Sequence, residues 1–149
     1  MVKLTKSGTI VLLLLAILVE WVVDQKIPRH IIAEKYIGKC KAIEFSGADA
    51  FQSDNKTAII FSCEGFQGSI EALFVISNDK VEKLYFLKSN EGLDRSVLKN
   101  LDFLKSFERN INDVPFDVDA ITGATVSSQI VIDEMNLRIK EWNKKNDTY

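Results

Sequence analysis

An α+β fold is predicted for this chain: an antiparallel sheet with flanking helices, preceded by one N-terminal transmembrane helix. Three observations predict it. Short strand-like runs at residues 41–45, 57–62, 69–77 and 81–88 are set apart by turn residues, and Asn78-Asp79-Lys80 joins the last two as a hairpin. Near the C-terminus, Val131, Ile132, Met135, Ile139 and Trp142 form one helical stripe, with Asp133, Lys140, Glu141 and Lys144 facing away. At the other end, residues 8–23 are apolar except for Glu20.

That N-terminal run follows Lys3 and Lys6 and ends beside Trp21, a residue suited to a membrane interface. Sixteen residues span about 24 Å as a helix, slightly less than a hydrocarbon core of roughly 30 Å. A secretory signal peptide has the same basic start and apolar centre. No small-x-small cleavage site follows, because the run ends Val19-Glu20-Trp21-Val22-Val23-Asp24, and a retained single-span anchor is therefore expected. The expected division is an anchor over residues 1–26, a connecting helix over 27–40 and a domain over 41–149.

The chain has 149 residues, 46% of them hydrophobic, enough for one cored domain. A net charge of -2 without a basic face argues against nucleic acid as a partner. His30 is the only histidine, which excludes a multi-histidine metal site or an axial haem pair within this chain and leaves no Ser/His/Asp set for hydrolysis. Its expected role is that of an interfacial polar residue. Cys40 and Cys63 are too few for an iron–sulfur cluster; a disulfide outside the cytoplasm and two buried thiols both fit them.

The elements follow in order. Pro28 suits the first turn of a helix through His30, Ala33 and Tyr36 that stops at Gly38. After a first strand at 41–45, Ser46-Gly47-Ala48-Asp49-Ala50-Phe51 reads as a turn-rich segment. Glu64-Gly65-Phe66-Gln67-Gly68-Ser69-Ile70 is a glycine-bearing loop between strands, in which Phe66 is either a core aromatic or a wall for a ring system. Residues 94–107 read as an amphipathic helix with Val97, Leu101, Leu104 and Phe107 inward, and 108–118 as polar loop.

The most informative stretch is Asp119-Ala120-Ile121-Thr122-Gly123-Ala124-Thr125-Val126-Ser127-Ser128, at the start of the C-terminal helix. Small residues and hydroxyls before a helix are ordinary capping residues, and spacing alone admits that reading. A helix start also offers unpaired N–H groups and the positive end of the helix dipole, which hold a phosphate without a basic side chain. Asp119 to Thr125 resembles the D-x-x-(S/T)-G-A-T signature of FMN-binding domains whose last threonine carries FMN through a phosphoester bond. Such domains include the peripheral flavin subunits of Rnf-type ferredoxin-oxidising complexes and of the sodium-pumping NADH:quinone oxidoreductase.

Three further stretches resemble the same family less closely. Ser46 to Phe51 is similar to its P-G-A-D-x-F stretch, with Ser46 at the usual proline. Glu64 to Ile70 is similar to its G-(Y/F)-x-G-P-I loop, with Ser69 at the proline. Glu91, Gly92 and Leu93 stand near its E-T-P-G-L segment without the Thr-Pro pair. The resemblance covers residues 45–137. It implies FMN esterified to Thr125, an acceptor turn shaped by Asp119, Thr122, Gly123 and Ala124 with Ser127 close by, and flavin contacts from Gly65, Phe66, Gly68 and Glu91. It further implies an extracytoplasmic domain on the cell membrane, other subunits of a redox complex as electron donor and acceptor, and a flavin transferase that loads the cofactor. The expected function is that of an electron-transfer subunit rather than a stand-alone enzyme. A non-covalent flavin site and an anchored interaction domain without cofactor are the alternatives.

Overall fold

The computed structural model describes residues 27–89 and 100–147. Helix α1 (Arg29–Ile37) precedes five strands, β1 (Lys41–Ile43), β2 (Asp49–Gln52), β3 (Thr57–Glu64), β4 (Ser69–Ser77) and β5 (Lys80–Ser89). Helix α2 (Leu101–Lys105), a 3₁₀ turn (Ile111–Asp113) and the long helix α3 (Thr125–Asn146) follow. The strands form one sheet in the order β1-β2-β3-β4-β5, and every neighbouring pair is antiparallel. This is the expected α+β class. The expected membrane anchor and Glu91 lie outside the described residues; among those described, no helix is long and apolar enough to cross a membrane.

Both faces of the sheet are covered, so the central runs of β3 (Ala58 to Phe61) and β4 (Ala72 to Ile76) are apolar at consecutive rather than alternate positions. Ile59 and Phe61 of β3 and Ile70, Ala72 and Phe74 of β4 point to one core, which Phe103, Phe107, Val131, Met135 and Ile139 complete. Ala58, Ile60, Leu73 and Val75 point the other way, onto Ala33 and Ile37 of α1. The result is three layers, with α1 below the sheet and α2 and α3 above it. β5 keeps Val81, Leu84 and Phe86 on the α3 side, although 81 and 84 differ in parity, because its pairing with β4 shifts between Val75 and Ile76. At the β4–β5 turn Asn78 and Asp79 have φ of 50° and 57°, a conformation that Asn and Asp tolerate better than most residues.

The structure corrects two expectations. Only Ser46 to Ala48 forms the turn before β2; Asp49 to Gln52 is a strand, with Ala50 and Phe51 buried on opposite faces. The first strand ends at Ile43, and Phe45 instead packs on Trp142, ring centroids 6.2 Å apart. That turn is pinned to α3. Arg138 pairs with Glu134, with Glu141 at 2.9 Å, and donates to the Ser46 carbonyl at 3.0 Å. A Cβ on Gly47, which has φ +68°, would lie 2.2 Å from Arg138 Nη1, so a side chain there would be strained in its backbone and would displace the guanidinium.

The second correction concerns the helix expected over 94–107. It begins at Leu101, capped by Asn100, whose side chain accepts from the Asp102 and Phe103 N–H groups. The first half of the expected span lies outside the described residues. Leu101 faces solvent at 69% exposure, and Phe103 and Phe107 enter the core edge-to-face, 5.2 Å apart. Cys63 packs on the α3 side of the sheet and Cys40 on the α1 side, so the sheet separates them and neither is in a disulfide. Burial, together with Glu34, pushes the Cys40 thiol up from its ordinary pKa. Replacing Phe107 with alanine should cost about 3–5 kcal/mol by denaturant unfolding. Leu101→Ala should stay within about 0.5 kcal/mol, the reverse of what an inward Leu101 would give.

Candidate functional site

Residues 121–124 form a tight turn in which the Ala124 N–H donates to the Ile121 carbonyl at 3.0 Å. Gly123, third in that turn, has φ +88°, which explains why glycine stands there. A Cβ built on it meets nothing within 4 Å, so the space above the turn is open. Helix α3 starts at the next residue but one. Ala124 occupies the N-cap position with φ -131° and ψ 32°, and no side chain caps the helix.

This geometry sets aside the simple capping reading. Thr122 is exposed and is not the N-cap, while Thr125, the first helical residue, is exposed with its Oγ1 donating to the Ile121 carbonyl at a long 3.4 Å. Its hydroxyl is thus accessible and held by little. With no side chain capping it, the helix start keeps the positive dipole end that an anion would use.

The two glycine-bearing segments meet here. β3 and β4 are joined by a turn in which the Gly65 N–H donates to the Gly68 carbonyl at 2.8 Å. At its tip the Phe66 N–H donates to Ser127 Oγ at 3.2 Å, a contact between residues 61 apart in sequence. The sheet therefore brings Gly65, Phe66 and Gly68 to the helix start that carries Thr125 and Ser127. Phe66 is 72% exposed, so the core-aromatic reading of this residue fails and its ring is open to a ligand or a surface. Asp119, the first residue of the motif, is exposed. It borders an open pocket of about 520 Å³, shared with Thr122, Phe103 and Asn100, where Arg109 stands among Asp102, Asp117 and Asp119.

Sequence reading missed Ser128. This residue is fully buried, and its Oγ accepts from the Ile121 N–H at 2.9 Å while donating to the Ala124 carbonyl at 2.8 Å. One hydroxyl thus closes both ends of the turn. The signal was present in the pattern: extending the stripe of Val131, Ile132 and Met135 back by one turn of helix reaches position 128, a serine where an apolar residue is expected. Ser128→Ala leaves the Ile121 N–H without its partner and should cost about 1–3 kcal/mol in denaturant unfolding. Thr122→Ala, at an exposed position that caps nothing, should change stability by less than about 0.5 kcal/mol.

No curated protein matches the chain significantly. Residues 65–139 match the family model described as FMN-binding domain, a span that opens at the Gly65 turn, takes in Thr125 and ends at Ile139 on the buried stripe of α3. The two segments that meet at the helix start are therefore both inside the matched region, and the chain belongs to the FMN-binding domain family.

Proposed function

We propose that this protein is an electron-transfer flavoprotein subunit that carries FMN covalently, as a phosphoester of Thr125, on the outer side of a cell membrane. The observation that carries the proposal is the exposed Thr125 hydroxyl at an uncapped helix start, beside the open face of Gly123 and inside the matched FMN-binding region. When bound, FMN accepts and passes on electrons one or two at a time. The chain's own residues have narrower tasks. Thr125 Oγ1 supplies the tether, and the first N–H groups of α3 receive phosphate oxygens. Gly123 keeps the approach open, Ser128 holds the turn in shape, and Phe66 offers an aromatic face nearby.

The resemblance of residues 119–125 to domains with threonyl-linked FMN supports covalent attachment by a separate flavin transferase. Similarity to Rnf-type and sodium-pumping relatives supports membership of a membrane redox assembly whose other subunits give and take the electrons. The apolar run at residues 8–23 after Lys3 and Lys6 supports a single-span anchor with those lysines in the cytoplasm.

The chain isolated from membranes that contain an active flavin transferase should show a mass increase of FMN less one water and remain fluorescent on a denaturing gel. Thr125→Val keeps the volume but removes the hydroxyl; it should abolish this flavin while changing the unfolding midpoint only slightly at an exposed position. Unmodified mass with no colour would sink the flavoprotein reading for this chain, and flavin released on denaturation would make the site non-covalent. For topology, a cysteine at Asn146 should react with a membrane-impermeant thiol reagent in intact cells, and protection would reverse the orientation.

A further inference from the structure

Among the described residues, six large apolar side chains are left in solvent, and four of them, all but Leu101 and Leu137, lie at one end of the sheet. The β3–β4 turn defines that end, with Phe66 72% exposed at its tip. Val126, 53% exposed, stands beside it, since the neighbouring Ser127 accepts from the Phe66 N–H. On the other face of the sheet, α1 begins at the same end. Arg29, its first residue, pairs with Glu71 of β4 at 2.8 Å and with Asp49 of β2 at 2.9 Å. Glu71 is three residues from Gly68, about 10 Å along the strand. Ile27 and Ile31, 63% and 48% exposed, flank Arg29. Leu137 is exposed too, but it stands twelve residues along α3 from Thr125, about 18 Å away.

Chain length says what covers this end. The apolar run stops at Val23, and four residues to Ile27 reach at most about 14 Å even when fully extended. Resting on the reading of that run as a membrane anchor, we infer that the domain docks on the bilayer surface with this end, through Ile27, Ile31, Phe66 and Val126, so that the Thr125 turn faces the lipid. The contact is apolar rather than electrostatic. Among the described residues at this end, Arg29 is already matched by Asp49 and Glu71, and exposed Lys88, beside Glu71 on β5, is balanced by exposed Glu64, so no excess of basic charge faces acidic headgroups. A flavin on Thr125 would then sit at the membrane interface, within reach of a redox partner embedded in the bilayer rather than one free in the aqueous phase.

The test uses the full chain with Cys40→Ala and Cys63→Ala, reconstituted in phosphatidylcholine vesicles with or without nitroxide-headgroup lipid. A bimane label is placed in turn on Phe66→Cys, Ile31→Cys and Asn146→Cys; the last site ends α3, about 32 Å along the helix from Thr125. Labels at 66 and 31 should lose most of their emission to the nitroxide lipid, and still do so in high salt, while the label at 146 keeps its emission. If the chain resists alkaline extraction but 66 and 31 are quenched no more than 146, docking is overturned and the anchor stands. If alkali extracts the chain, the anchor reading fails and docking fails with it. Blue-shifted emission at 66 in native membranes, absent from lipid-only vesicles, would give this end to a protein partner and overturn the lipid contact.

Discussion

The candidate site depends on how α3 lies across the sheet. Val131, Met135 and Ile139 are fully buried against β3 and β4, each stabilising the packed helix by about 1.5–3 kcal/mol relative to exposure. A missing N-cap costs a helix roughly 0.5–2 kcal/mol. One buried stripe therefore outweighs the uncapped end, and α3 can begin at Thr125 without a capping side chain. A helix held mainly by its own cap would need Ser, Thr or Asp at that position and would lose the feature that suits an anion. Stability is supplied two turns away from the place where function is expected, so the two do not compete for the same atoms.

The polar interactions near the site refine this arrangement rather than create it. Ser128 lies on the buried stripe, and its hydroxyl spans the turn from the Ile121 N–H to the Ala124 carbonyl. Because the group is fully buried, replacing it removes the Ile121 N–H's partner, while the Ala124 carbonyl keeps the Ser128 N–H at 2.9 Å. At the other end of the helix Arg138 does comparable work for the β1–β2 turn, where its guanidinium fills the place of a Gly47 side chain. Thus α3 organises both the motif turn and a turn at the edge of the sheet, with contacts from one face.

The sequence was legible where a single periodicity ruled. The α3 stripe, the β4–β5 hairpin at Asn78-Asp79 and the limits of α1 at Pro28 and Gly38 all follow from local chemistry. β2 was hidden because it is four residues long and buries Ala50 and Phe51 on opposite faces, so no alternation shows and its flanking Ser, Gly and Asp look like turn residues. Of the stripe expected over 94–107, Phe107 and the partly buried Leu104 do face the core, but Leu101 is exposed and Phe103 is buried instead, with Asn100 capping the helix just before Leu101. Within the site, residues 119–125 were recognisable as a motif, and Gly65, Phe66 and Gly68 as a second. That Phe66 and Ser127 touch depends on how α3 lies against the β3–β4 hairpin, a contact between residues 61 apart that no local pattern encodes.

Charge divides the surroundings of the motif turn in a way that assigns its two sides. On the pocket side Arg109 is outnumbered by Asp102, Asp117 and Asp119, so an added phosphate there would meet net repulsion. On the helix side the uncapped start of α3 supplies the positive end of a helix dipole, and Phe66 adds an aromatic face. A cofactor with an anionic end and a planar aromatic end matches the helix side on both counts. Holding the anionic end with backbone rather than lysine or arginine has a further consequence. The positive field falls off within the first turn of α3, so it favours the phosphate without placing a full positive charge beside the ring system, and the ring's surroundings can be set by apolar contacts instead. On the proposed attachment, this separation would let a single small domain hold its cofactor at one end while the other end stays open for electron exchange.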